Sequence, residues 1–256
     1  MKYNYHTHTF RCGHAYGTER EYVESAIRNG IKKLGFSDHS VQFFDNGYVS
    51  DIRMKEHEAE GYVNCIRKLA EEYKKDIEIF VGFEAEYFPS IFQRLQSFCR
   101  DFGVDYLILG QHYLTIEPNT DRFCSVPSDN EEHLCRYVNE VLEAISTGSF
   151  SYIAHPDCFY FTGCDDVYDR EMTRLCRGAK ALKIPLEINM IGFRAGKHYP
   201  SDRFFSIAAR EKNDIVHGAD VHWPADFWGD SEKEKLFAFI KKHNITMLDD
   251  VVLRKI

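Results

Sequence analysis

Tyr3-Asn4-Tyr5-His6-Thr7-His8 starts the chain with a short extended run that ends in two imidazoles. Side chains two positions apart on a strand point to the same face, so His6 and His8 can reach one cation from a strand end. A single His-x-His arises easily by chance. It gains weight because the later apolar runs finish in the same manner. Residues 31–37 lead to Asp38 and His39, 78–83 to Glu84, and 106–109 to Gly110-Gln111-His112. Residues 152–154 lead to His155, 185–188 to Asn189, and 215–218 to Asp220 and His222.

Amphipathic segments separate these runs. Helices are predicted over 19–29, 51–74, 90–102, from 131 to about 147, from about 169 to 182, over 201–212 and from 231 to about 243. Thr18–Glu21, Ser128–Glu131 and Ser231–Glu234 read as capping boxes, Asp169 as a cap, and Gly30 as a helix end. The extended run 245–248 has no assigned role. Such βα alternation implies a parallel sheet, either closed or open. A closed barrel is favoured, because barrels gather their sites at the C-terminal ends of all strands, whereas an open sheet concentrates them at one switch point.

Composition narrows the classes. Of 256 residues, 44% are hydrophobic and 14% aromatic, enough for a sizeable core and too many for a disordered chain. No linker or low-complexity tract interrupts the pattern, so residues 1–256 are expected to form one domain. The net charge of −8 argues against a partner that is a long nucleic acid. No apolar run approaches the roughly 18 residues of a membrane span, and no signal core follows Met1-Lys2, so a cytoplasmic protein off the membrane is expected. None of the eight cysteines forms a Cys-x-x-Cys pair, which argues against a structural zinc knuckle and for reduced thiols.

The donor set itself indicates metal. Imidazole nitrogens with carboxylate oxygens suit zinc, manganese or iron. Several close cations need a bridging carboxylate, and Glu84 is the acid placed between histidines of both halves. Asp38 beside His39 is placed to orient a ligand. His14 lies in the loop Arg11-Cys12-Gly13-His14, near the barrel mouth.

Taken in order, His6-Thr7-His8, Gly35-Phe36-Ser37-Asp38-His39, Gly82-Phe83-Glu84, Gly110-Gln111-His112, His155-Pro156 and Asp220-Val221-His222 resemble the polymerase and histidinol phosphatase (PHP) superfamily, in its histidinol-phosphatase branch. The resemblance runs from residue 3 to about 222. It implies a distorted seven-stranded TIM-like (β/α)7 barrel of the PHP type holding three divalent ions. One ion would take His6, His8, Glu84 and Asp220. A second would share Glu84 and add His112 and His155. The third would take His14, His39 and His222.

Close divalent ions acidify a bound water and neutralise phosphoryl charge, so a hydroxide held between them is the expected nucleophile. Glu84, His112 and Asp220 are the expected catalytic residues, with Asp220 or a histidine protonating the leaving alkoxide. The branch has a Glu-Ile-Asn segment leading to an arginine that meets the phosphate. This implies Arg194 for substrate binding, with Lys197 as a second cation and Asn189 as a hydrogen-bonding partner. Arg11 and Arg122 are further cations in mouth loops. Phe43, Phe44, Tyr48, Phe159, Tyr160 and Phe161 are candidate walls for the leaving group. His57, His133 and His243 read as surface or packing residues, and His217 as core.

The expected activity is a hydrolase, a phosphoric monoester hydrolase that cleaves L-histidinol phosphate to L-histidinol and phosphate in histidine biosynthesis. One alternative is a phosphoesterase on another small phosphomonoester or nucleotide. Another is a non-catalytic, metal-stabilised docking barrel.

Overall fold

Alternate residues on the strands part into two environments, and that alternation builds the molecule. A computed structural model describes residues 1–119, 123–227 and 229–256. The strands are β1 (Tyr3–Asn4), β2 (Lys33–His39), β3 (Glu78–Ala85), β4 (Tyr106–Leu109), β5 (Phe150–Ile153), β6 (Leu186–Asn189) and β7 (Ile215–Gly218). They pair in parallel in chain order, β1 to β7. A parallel bridge between Thr7 and Val221 joins the two edges at the C-terminal end, with His8 N donating to Val221 O over 3.0 Å. The result is the nearly closed barrel that the strand-end pattern required.

The helices are α1 (Glu19–Arg28), α2 (Ala59–Glu72), α3 (Pro89–Asp101), α4 (Glu131–Ser146), α5 (Asp165–Ala181), α6 (Met190–Ala195), α7 (Asp202–Glu211) and α8 (Asp230–His243). Outward residues of the strands, such as Phe36, Val81, Phe83, Leu107 and Ile188, pack with Tyr62, Ile66, Tyr137 and Leu175 of the helices in the main core. Burying each large apolar side chain contributes about 1.5–3 kcal/mol. Inward residues behave differently. Tyr3, Tyr5, Tyr106, Ile108, Tyr152 and Val216 form a second cluster inside the barrel, with Leu248, Val251 and Leu253 packed against it.

The C-terminal run therefore has a role that its sequence did not reveal. It closes the floor of the barrel. Leu248 N donates to Ile215 O over 2.8 Å, and Met247 bridges to Ile215. Tyr3 Oη donates to Leu248 O over 3.2 Å, Tyr5 Oη donates to Asp250 over 3.0 Å, and Lys33 pairs with the same aspartate.

Of the predicted caps, Thr18 and Glu21 form the reciprocal box at α1. Gly30, with φ 75°, ends α1 as expected, and the other N-terminal caps differ. Asn130, not Ser128, caps α4 by accepting from Glu132 N over 2.8 Å, while Ser128 N is engaged by Tyr160 O. Helix α8 starts at Asp230, before the Ser231 box. Helix α5 starts at Asp165, where Asp165 and Asp166 favour the positive end of the helix dipole, and Asp169 pairs with Arg203 instead. The predicted helix over 51–74 begins only at Ala59, because Arg53 is drawn into buried ion pairs with Glu86 and Glu117. No described helix is long and apolar enough to cross a membrane. All eight cysteines are free thiols.

Candidate metal centre

The C-terminal rim gathers the strand-end residues around Glu84, whose carboxylate is buried at the end of β3. Oε1 lies 2.8 Å from His155 Nε2, 3.5 Å from His6 Nε2 and 3.6 Å from His112 Nε2. Oε2 lies 3.1 Å from His39 Nδ1 and 3.5 Å from His8 Nε2. Asp220 Oδ1 lies 3.5, 3.2 and 3.4 Å from His6 Nε2, His8 Nε2 and His222 Nδ1. Donor atoms of His14, His39 and His222 all fall within 4.8 Å of one another. The nine residues read from the strand ends and the first loop thus meet at one rim. The grouping is less strictly partitioned than expected, since His39 sits as close to Glu84 as to His14 and His222.

Two glycines make this crowding possible. A Cβ on Gly110 would fall 1.9 Å from Glu84 Oε1, and one on Gly218 would fall 1.7 Å from Glu187 Oε1. His155 and Asp220 both adopt left-handed backbone (φ 29° and 49°), which costs on the order of 1 kcal/mol or more for such residues.

Carboxylates behind the rim hold the imidazoles in place, and the sequence reading largely missed them. His6 Nδ1 is 2.8 Å from Glu187 Oε1, which leaves Nε2 facing inward. Glu187 Oε2 accepts from His155 N over 2.9 Å and from Asn189 Nδ2 over 2.9 Å. Glu86 accepts from the backbone of His112 and Tyr113 over 3.0 and 2.8 Å and also takes the Arg53 guanidinium. Asp38 lies 3.5 Å from His8 Nδ1 and accepts from Thr9. The signal available was Glu84-Ala85-Glu86 and Glu187-Ile188-Asn189, acids and amides two apart near strand ends, as in the His6/His8 pair.

The arrangement is incomplete without a positive centre. His6 Nε2, both ring nitrogens of His8, and Asp220 Oδ1 are buried and make no hydrogen bond. They face one another across 3.2–3.5 Å without hydrogen-bond alignment. Two donors each about 2.0–2.2 Å from one tetrahedral cation stand roughly 3.3–3.6 Å apart, so the spacing and the donor chemistry fit a divalent ion. Charge distributes accordingly. Burial opposes protonation of His6, yet Asp220, Glu187 and Glu84 raise its pKa to about 10. Burial lowers His112 and His222 to about 3 and holds His39 well below the usual range, which keeps these imidazoles neutral. Against burial, the surrounding histidines hold Glu84 and Asp220 well below the ordinary carboxylate range.

A cavity of about 470 Å³ opens over the rim. Ile52, Tyr113, Phe123, Ile191 and Tyr199 form its apolar wall, and Arg53 and Lys197 line it as cations. Lys197 was expected there. Arg194 is not on this cavity. Its guanidinium lies 3.3 Å from Asp226 and 3.7 Å from Glu232 and donates to Asp226 O over 2.8 Å. Asn189 is also spent elsewhere, donating to Glu187 and Asp220 (3.1 Å) and accepting from Ile191 N (3.0 Å) as the cap of α6. It orients Asp220 rather than facing the cavity. Arg11 pairs with Glu19, and Arg122 lies outside the described residues. The aromatic walls differ from expectation too. Phe43 and Phe159 belong to the core, Phe44 packs on Tyr48, Tyr160 stacks on His198, and Phe161 on Tyr168. His217 is buried as expected, with Nε2 3.1 Å from Tyr3 O.

Fold and rim together define a β/α barrel that concentrates histidines and carboxylates at its C-terminal mouth. The chain belongs to the PHP domain family, whose sequence profile matches residues 4–190. Among curated proteins it is 27% identical over 238 residues to a probable histidinol-phosphatase of Deinococcus radiodurans, covering 86% of each chain. It is 25% identical to the histidinol-phosphatase of Bacillus subtilis, covering 86% of this chain and 93% of that one. The solved histidinol phosphate phosphatase of Lactococcus lactis, complexed with zinc, L-histidinol and phosphate, superposes with a TM-score of 0.71 at 21% identity. That match covers 96% of this chain and 95% of the other.

Proposed function

We propose that this protein is a metal-dependent phosphomonoesterase whose substrate is L-histidinol phosphate, released as L-histidinol and phosphate. One observation carries the reading: buried donors with no hydrogen bond surround a single glutamate on the floor of an open cavity. The similarity to curated histidinol-phosphatases supports the substrate. We take residues 1–256 to work as one domain.

His6, His8, Glu84 and Asp220 would hold one ion, Glu84, His112 and His155 a second, and His14, His39 and His222 a third, zinc, manganese or iron each suiting the donors. Bound divalent ions supply acidification of water and neutralisation of phosphoryl charge. The chain supplies the rest. Glu187 keeps the His6 ring oriented, and Glu86 fixes the backbone at His112. Lys197, with no ion-pair partner among the described residues, is the cation for the phosphoryl oxygens. Arg53 is already matched by Glu86 and Glu117 and serves as a wall. Tyr113, Phe123 and Tyr199 hold the leaving group and exclude water. Asp220, held as a carboxylate with Oδ1 free of hydrogen bonds, would serve as a ligand, and the proton for the leaving oxygen falls to a rim histidine.

Phosphate release from L-histidinol phosphate and from an aryl phosphate, with manganese or zinc added, tests this. A kcat/KM at least about 100-fold higher for histidinol phosphate is expected, a difference of roughly 2.7 kcal/mol in transition-state binding. Equal rates would move the assignment to a broad phosphatase. No release from either would remove the enzymatic reading.

A further inference from the structure

Cys12 lies on the rim but outside the ligand sets drawn from strand ends. It closes the short 3-10 turn Phe10–Cys12, which Thr9 caps, and it is fully buried. Donor atoms of His8, Cys12 and His222 fall within 4.8 Å of one another. The two rings are stacked, with centroids 4.1 Å apart and planes 19° apart. A second observation points to a ligand there. His8 is wholly buried, and neither of its ring nitrogens makes a hydrogen bond. Nε2 faces Asp220 at 3.2 Å, and Nδ1 is 3.5 Å from Asp38, short of being satisfied by either. His222 lines the cavity, so an ion can approach from solvent.

We propose that His8, Cys12 and His222 form a position for a thiophilic divalent ion, zinc above manganese, with the Cys12 sulfur as a ligand, an arrangement that redraws the partition above by bringing His8 and His222 to the same ion. The inference rests on the metal-centre reading above and deepens it. Thiolate is a soft donor that suits zinc, whereas the neighbouring nitrogen and oxygen donors discriminate less. Binding forms one metal–sulfur bond and releases the thiol proton to solvent. The Sγ–H bond that Cys12 donates to Thr9 O over 3.2 Å is given up. Cys158 also lines the cavity, but its Sγ donates to Gln111 O over 3.4 Å and joins no such triad among the described residues.

Cobalt(II) titration of the metal-free, full-length protein tests the sulfur ligand. The wild type is expected to develop a sulfur-to-cobalt charge-transfer band in the near ultraviolet, beside the visible bands of cobalt on nitrogen and oxygen. Cys12→Ser keeps the visible bands and loses the near-ultraviolet one. Zinc-edge X-ray absorption of the wild type, which depends on no variant, is expected to show a zinc–sulfur distance of about 2.3 Å. A near-ultraviolet band retained in Cys12→Ser overturns the assignment. So does a wild-type spectrum with visible bands and no sulfur feature. Either result leaves the nitrogen–oxygen site standing, and the phosphatase reading is judged separately by phosphate release. A wild type that binds no cobalt overturns both the sulfur position and the metal centre.

Discussion

The two ends of the barrel both bury polar groups and treat them differently. At the floor, the Tyr106 hydroxyl donates to the carbonyls of Tyr5 and Phe36 over 2.8 and 3.1 Å, Tyr3 reaches Leu248 and Tyr5 reaches Asp250. At the rim, His6, His8 and Asp220 keep buried atoms without hydrogen bonds. At the floor an unmet buried atom stands alone, as Tyr152 Oη does, whereas at the rim several face one another, and each unmet buried group costs about 1–3 kcal/mol unless a ligand meets it. On the proposed reading the floor serves stability and the rim chemistry, and substitutions at the two ends should therefore separate.

The largest separation is expected from Glu84→Gln. Phosphate release should fall by about 1,000-fold or more, with loss of bound metal by elemental analysis, because one carboxylate faces five imidazoles. The thermal midpoint of the metal-free chain should move by no more than a few degrees. A variant that keeps its metal and its rate would end the distinction.

The floor should be exposed by acid. Burial lowers the His217 pKa to about 4, from 6.5 in the unfolded chain. The folded value is the lower one, so the unfolded chain takes up the proton first. The stability contribution is whole above about pH 6.5 and is lost as pH falls through about 4, a difference on the order of 3 kcal/mol. Denaturant unfolding of wild type and His217→Gln across this range should show a gap that closes with acid. A pH-independent gap would remove His217 from the account.

Behind the rim, Glu187→Gln should weaken metal binding by roughly 10–100-fold in a chelator competition while leaving the fold cooperative, since it orients His6 and the His155 backbone. Tyr106→Phe should do the reverse. It should cost about 1–2 kcal/mol in denaturant unfolding, with metal content and kcat unchanged. The smallest effect is expected at Arg194→Ala. With its guanidinium held by Asp226 and Glu232, KM should change by less than about threefold, against about tenfold or more for Lys197→Ala. A larger effect at Arg194 than at Lys197 would reverse the assignment of the phosphate cation.

The candidate ligands at the strand ends were legible because each follows an apolar run, and a run's period of two dictates which neighbours share a face. His6 with His8, and Asp220 with His222, could be paired on that ground alone. Arg194 was misplaced for the opposite reason. A loop arginine goes where its acids are, and Asp226 and Glu232 come from a segment more than thirty residues later. Arg53 shows the same limit. Its sequence context reads as helix, and only Glu86 and Glu117 pull it into the wall of the cavity.

From the residues in order came the alternation of strands and helices, the closed barrel and the donors at its mouth, because local periodicity and donor chemistry need no knowledge of distant neighbours. Tertiary structure alone decided which cation faces the cavity, which carboxylates steady the imidazoles and that the last residues seal the floor. Those outcomes depend on charges and hydrogen bonds between segments far apart in the chain, whose approach is set by packing and is written in no single stretch.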